Sequence, residues 1–403
     1  MKAPSKTIQY YQLAIVTAVH FVADMFAGML PVLMPAIRDH FQLENIRSGV
    51  LLVGISHLVM NISQMCVGHL RPDKKKPFMI FIGLGMVSVF TLIGFLPSAG
   101  PGMAWLLVVL IASMVGTGIT HPESMRGLHL LKRTNASVGS ALFMTGGHLG
   151  YGFGAWLSTI VVASCGLKGL VWFLPIIILT IYAVIYFRLR LATDKTKHVK
   201  AFSADMRSNS MPFWPMWLML LPFCIGYAIF ANVFPEFYKI TFAEGESLKL
   251  GGQAAMALTI GGVVGGIWWS HWAQGRDVVK VSVMMMALGV PFMAYYIFHM
   301  DQKWTVWLLI PGFFFINAAF PLMATAARFA KGLTLGARMA IVSGGSWTIA
   351  LSCYLALYPI INSGNLHRIC KLSLLGYAGS ISIGLYCIYR QHKINLQQEQ
   401  ING

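Results

Sequence analysis

Apolar stretches of roughly 20 residues, separated by short polar or Gly/Pro-bearing turns, recur along the whole chain. A bilayer's hydrocarbon core is about 30 Å thick, so a helix rising about 1.5 Å per residue crosses it in about 20 residues. Read at that length, the chain contains about twelve spans. The first six are 11–37, 49–68, 78–96, 104–125, 136–163 and 169–187, and the second six are 213–237, 251–272, 278–299, 304–327, 337–361 and 371–389. Lipid offers no hydrogen bonds, so each span must satisfy its own backbone and is therefore helical. The chain is expected to be an all-α membrane protein.

Only 11% of the 403 residues are charged, where a soluble domain carries about 25%. The formal net charge of +17 does not point to nucleic acid, because Lys and Arg lie in short loops between spans and not on one water-facing surface. With the N-terminus inside, 22 basic residues fall on the cytoplasmic side and 8 on the other, which predicts that both termini are cytoplasmic. The first span is too long for a cleavable signal peptide and carries Asp24, so it is expected to persist as the first helix. The six cysteines have no CxxC spacing and read as core fillers.

The chain also repeats itself. Pro122 and the Gly146–Gly147 pair recur as Pro321 and Gly344–Gly345, at offsets of 199 and 198, and Pro35 recurs as Pro235 at 200. A period near half the length predicts two pseudo-symmetric six-helix bundles with the substrate site between them at midplane. Residues 1–190 form the first bundle in this reading, 191–211 a basic cytoplasmic linker, and 212–403 the second bundle.

Within the first span, His20 and Asp24 lie one helical turn apart and face the same way. A carboxylate at that depth costs on the order of 3 kcal/mol, so it persists only if paired, protonated or used. Burial favours the neutral acid and a cationic imidazole favours the carboxylate, so the two together can govern whether Asp24 holds a proton. The competing reading is a His–Asp pair that satisfies itself structurally.

On the fourth span, His121, Glu123 and Arg126 surround Pro122, which removes a backbone donor. Glu123 is a candidate for proton coupling, and Arg126, always charged and rich in donors, for an anion contact. A plain Glu123–Arg126 salt bridge holding the loop competes with both. His148, His57, Asn61, Asn232 and Asn317 are further candidate cavity residues, and Glu236 lies one turn beyond Asn232. Gly146, Gly150 and Gly154 recur every four residues on the fifth span, as do Gly261, Gly262, Gly265 and Gly266 on the eighth. Such faces allow close helix approach. In two bundles related by such a repeat the two helices are expected to face each other across the halves, and Gly146, Gly147, Gly150 and Gly154 are expected to serve conformational switching. Trp268, Trp269 and Trp272 read as an interfacial belt.

The segment from Gly68 to Pro77, which contains Arg71, Asp73 and Lys74 to Lys76, resembles the signature loop between the second and third helices of the major facilitator superfamily. That resemblance gives Gly68 and Asp73 roles in conformational switching. HFVADMFAGMLPVLMP, GTGITHPES and the run Ser140, Phe143, Gly146, Gly147, Gly150, Gly154 are similar to the fosmidomycin-resistance branch of that superfamily. The branch implies an inner-membrane exporter exchanging drugs or metabolites for protons. His148 inside the glycine run and Ala155 in place of a proline depart from the antiporter pattern.

No GxxxxGK[ST] loop is present to bind nucleotide phosphates. One proton moving down about 100 mV supplies roughly 2.3 kcal/mol, enough for about a fifty-fold solute gradient. The expected function is a proton-coupled exporter of a small organic molecule, acting as a monomer in the inner membrane without cofactor, resident metal or nucleic acid. Against it stand a transporter-like sensor or partner-binding membrane protein and, lower, a metal transporter or intramembrane metalloenzyme, for which HExxH is lacking.

Overall fold

The computed structural model describes residues 6–43, 45–70, 74–128, 136–193, 212–333, 338, 341–362 and 364–402. Most of the interdomain linker and Asp73 lie outside these residues, whereas Gly68 closes a helix. The first half comprises α1 (Lys6–His40), α2 (Ile46–Leu70), α3 (Phe78–Ser88), α4 (Gly102–Leu128), α5 (Ala136–Cys165) and α6 (Leu174–Tyr186). The second comprises α7 (Phe213–Thr241), α8 (Glu244–Trp272), α9 (Val278–Phe298), α10a (Leu309–Ile316) with α10b (Ala319–Phe329), α11 (Ser346–Ala356) and α12 (Leu366–Asn402). Among the described residues ten helical segments are long and apolar enough to cross a membrane, and α5 with the shorter α11 completes twelve. Short 3-10 turns extend α3 and lead into α6 and α10a, and a π-helical turn, Ile341–Gly345, opens α11.

Glycine sets the packing inside each half. A side chain at Gly146, Gly150 or Gly154 would collide with Thr17 or with the backbone carbonyls of Phe21 and Met25 on α1. The constant offset between these partners means that α1 and α5 run parallel, as two odd-numbered spans must in an alternating bundle. Gly261 and Gly265 meet the carbonyls of Ile310 and Phe314 in the same manner, joining α8 to α10a. Backbones this close leave no room for a Cβ.

The glycine triplet of α5 therefore faces α1 in its own half, whereas it was expected to face the opposite half. The helices α5 and α8 do cross between the halves, but through other residues. Gly152 receives Thr259, and Gly252 receives Thr159, in antiparallel register. The second crossing between halves joins α2 to α11, where Gly54 takes Leu355 and Gly344 takes Met65. A two-fold relation between the halves converts α5–α8 into α11–α2, so the two crossings are images of each other.

These placements separate two kinds of glycine. Gly150→Leu is expected to cost about 1–3 kcal/mol by overfilling the α1–α5 seam, read as a fall in thermal stability of the detergent-solubilised protein. Gly152→Leu overfills the seam between halves, and is expected to change the spin-label distance across α5 and α8 while α1–α5 distances hold. Equal distance changes in both variants would contradict this division.

Candidate functional site

The polar centre of the first half is built by three helices. From α1, His20 and Asp24 present one face; from α4, His121 reaches in; from α5, Gly147 leaves space for both His20 and Asp24, which a side chain there would strike. Each carboxylate oxygen of Asp24 takes one imidazole. His20 Nε2 lies 3.2 Å from Oδ2, and His121 Nε2 lies 2.8 Å from Oδ1. The two rings meet edge to face at 4.7 Å, and His20 stacks on Phe143 at 4.1 Å.

The far nitrogens are also committed. His20 Nδ1 donates to the Phe143 carbonyl at 2.8 Å, and His121 Nδ1 to the Thr117 carbonyl at 2.7 Å. Carbonyl oxygens only accept, so both Nδ1 atoms carry hydrogen. Each Nε2 then confronts a carboxylate oxygen, and two acceptors sit this close only with positive charge between them. Two protons placed in the two contacts satisfy the cluster: two imidazoliums with a carboxylate, or one imidazolium with a protonated acid. Either arrangement has net charge +1, and loss of one proton leaves one contact unsupported.

His121 thus belongs with Asp24, and Glu123 does not. Two positions apart on a helix, the two side chains point to opposite faces. Glu123 is buried against Arg126, whose Nη1 lies 3.0 Å from both carboxylate oxygens. Arg126 Nε and Nη2 donate to the Ala192 carbonyl at 2.9 and 2.6 Å, and Nη2 also donates to the Lys74 carbonyl at 3.0 Å. This pair ties the end of α4 to the segments before α3 and after α6. Glu123, expected at the proton site, and Arg126, expected at an anion contact, are thus paired with each other in a buried brace in this state.

His148 flanks the cluster on α5, half-buried and within electrostatic reach of Asp24. His57 is buried on α2 and directs Nε2 at the Ala27 carbonyl at 3.2 Å. Asn61 and Asn232 each donate to a carbonyl of their own helix, His57 at 2.8 Å and Ala228 at 2.7 Å, while Asn232 Oδ1 has no hydrogen-bond partner. Asn317 stands at the break between α10a and α10b, with its carboxamide against Gly262. A small cavity lies between the halves near this depth, lined by Gly28, Tyr151, Tyr227, Ala231, Phe234 and Leu258 among others.

At the C-terminal end of α1 the halves are locked by charge. Arg38 and Glu236 form a buried two-point pair, Nε to Oε1 at 3.1 Å and Nη2 to Oε2 at 3.0 Å. Gly49 lies against both side chains, and Lys239 pairs with Asp39 at 2.5 Å. Arg47 Nε adds a bond to the Ile361 carbonyl at 2.9 Å. Sequence analysis did not single out Arg38. The signal was the Pro35–Pro235 match, which sets Arg38 and Asp39 opposite Glu236 and Lys239 across the pseudo-two-fold axis.

The model of the Major Facilitator Superfamily matches residues 16–351. The chain belongs to that superfamily, whose architecture is a transporter's and not an enzyme's. It is 27% identical over 164 residues to the fosmidomycin resistance protein of Escherichia coli (strain K12), covering 40% of this chain and 39% of that protein. It is 21% identical over 186 residues to the uncharacterized MFS-type transporter YfnC of Bacillus subtilis (strain 168), covering 46% and 44%. The matched stretches thus span about two fifths of each relative. A bacterial homolog of the human lysosomal transporter Spinster, solved in an inward-facing and unoccupied conformation, superposes with a TM-score of 0.61 at 12% identity and 96% coverage of both chains.

Glu236→Gln removes the charge that compensates buried Arg38, a loss that costs about 3–5 kcal/mol when the partner stays buried. The expected outcome is a shift toward separation of the halves at this end. In a cysteine-free background, a cysteine at Ala231 should react with a soluble maleimide at least tenfold faster in Glu236→Gln than in the parent, and equal rates would contradict the lock.

Proposed function

We propose that this protein is a proton-coupled secondary transporter that exports a small organic molecule by alternating access. In this reading it sits in the bacterial inner membrane with both termini cytoplasmic. The observation that carries it is the Asp24 carboxylate clasped by two imidazoles whose other nitrogens are already bonded. Such a cluster takes up or gives up a proton by making or breaking one specific contact. It lies on α1 and α4, between a brace at one end of the first bundle and the charged lock at the other.

With the termini cytoplasmic, the Arg38–Glu236 lock closes the outer face. Protonation from the outside must then follow opening of that lock, and proton release to the cytoplasm its closure. The E. coli relative is named for fosmidomycin resistance, which supports export of a small organic compound as the direction of transport.

Asp24→Asn keeps the size of the side chain but cannot carry the proton. In everted vesicles with an imposed pH gradient, a screen of solutes and drugs should identify compounds accumulated by the parent and not by Asp24→Asn, while the variant inserts and folds normally. Undiminished uphill accumulation by the variant would overturn the coupling role.

A further inference from the structure

The three side chains of the cluster also have the donor types and spacing that a divalent metal ion needs. His20, Asp24 and His121 each offer one ligand atom, and all of these lie within 4.8 Å of one another. The separations of 3.2 and 2.8 Å between imidazole nitrogen and carboxylate oxygen are close to the roughly 3.3 Å ligand separation around an ion with bonds of about 2.0 Å in tetrahedral geometry. Metal-bound histidines characteristically donate their second ring N–H to a carbonyl or carboxylate, which fixes the ring and aims the other nitrogen's lone pair. Both rings here have that support already, from Phe143 and Thr117.

Charge balance favours the same occupant. Among the described residues the ion-pair partners of Asp24 are these two imidazoles. Two Nε2 protons with the carboxylate give net charge +1, and a divalent ion with two neutral imidazoles and the carboxylate also gives +1. The exchange leaves the buried charge unchanged, so the surroundings that tolerate one state tolerate the other. A hard ion such as Mg²⁺ prefers an all-oxygen shell, whereas two imidazoles and one carboxylate suit Zn²⁺, Co²⁺ or Ni²⁺. Three protein ligands leave a fourth position for water or a solute's donor atom.

We infer that His20, Asp24 and His121 bind one borderline divalent transition-metal ion in place of the two shared protons. This inference stands on the geometry of the cluster and not on the transport reading. If both hold, the ion blocks the proton site.

The test is a titration of the purified full-length chain, without a histidine tag, with Co²⁺, read by its visible d–d absorption. One equivalent is expected, displaced by Zn²⁺, with affinity falling at least tenfold in Asp24→Asn and in His121→Gln and unchanged in His299→Gln, which lies away from the cluster. Should His121→Gln fail to fold, His20→Gln carries the same expectation. No spectrum in the parent, or spectra unaltered by the cluster variants, would overturn the metal site. Loss of proton-driven transport in Asp24→Asn together with a metal-free parent would remove the metal and leave the proton reading standing. Cluster-dependent cobalt binding with normal transport in Asp24→Asn would do the reverse.

Discussion

The contact on which the rest depends is the clasp of Asp24 by His20 and His121. A lone carboxylate inside a bilayer is expensive, and here each of its oxygens meets one imidazole nitrogen. The cost is offset only while positive charge occupies both contacts. Everything around the clasp serves its geometry: Gly147 makes room, Phe143 stacks on one ring and accepts its N–H, and the Thr117 carbonyl orients the other. The glycine seam between α1 and α5 holds these parts at fixed depth, because backbone-to-backbone packing leaves little slack.

The two halves meet in a manner that suits movement. One of their two crossings, α5 with α8, is made of narrow glycine–threonine contacts, Gly152 with Thr259 and Gly252 with Thr159. Their strongest bonds are concentrated at one end, where Arg38, Glu236, Asp39 and Lys239 cross the axis. In a symmetric pair of bundles, equivalent residues near the axis would bring like charges together. The two halves instead carry opposite charges at Asp39 and Lys239, which lie 200 residues apart and contact each other. Opposite charge at these matched positions makes the contact attractive.

Much of the architecture was legible because bilayer thickness imposes a length on every span. The His20–Asp24 pair was legible for a similar reason, since four residues is one helical turn. The third member, His121, was named as a cavity residue, but nothing in the spacing reveals that α4 crosses α1 at the depth of Asp24. For Glu123 and Arg126 the spacing showed that the two can pair, but a motif shows which residues neighbour one another along a helix, not which of them reach a given cluster. Two positions separate His121 from Glu123, and that half-turn sends one to the cluster and the other to the brace. The glycines of α5 were correctly read as a packing face, but the face belongs to α1, and the crossing to α8 uses Gly152, outside the periodic run.

The central claim is that protons at the Asp24 cluster set the balance between closed and open forms of the Arg38–Glu236 end. The most direct measurement is the spin-label distance distribution across that end, recorded over a range of pH in the parent and in Asp24→Asn, both reconstituted in bilayers. The account predicts that the populations shift with pH in the parent and stay fixed in the variant. A shift of the same size at the same pH in both proteins would contradict it.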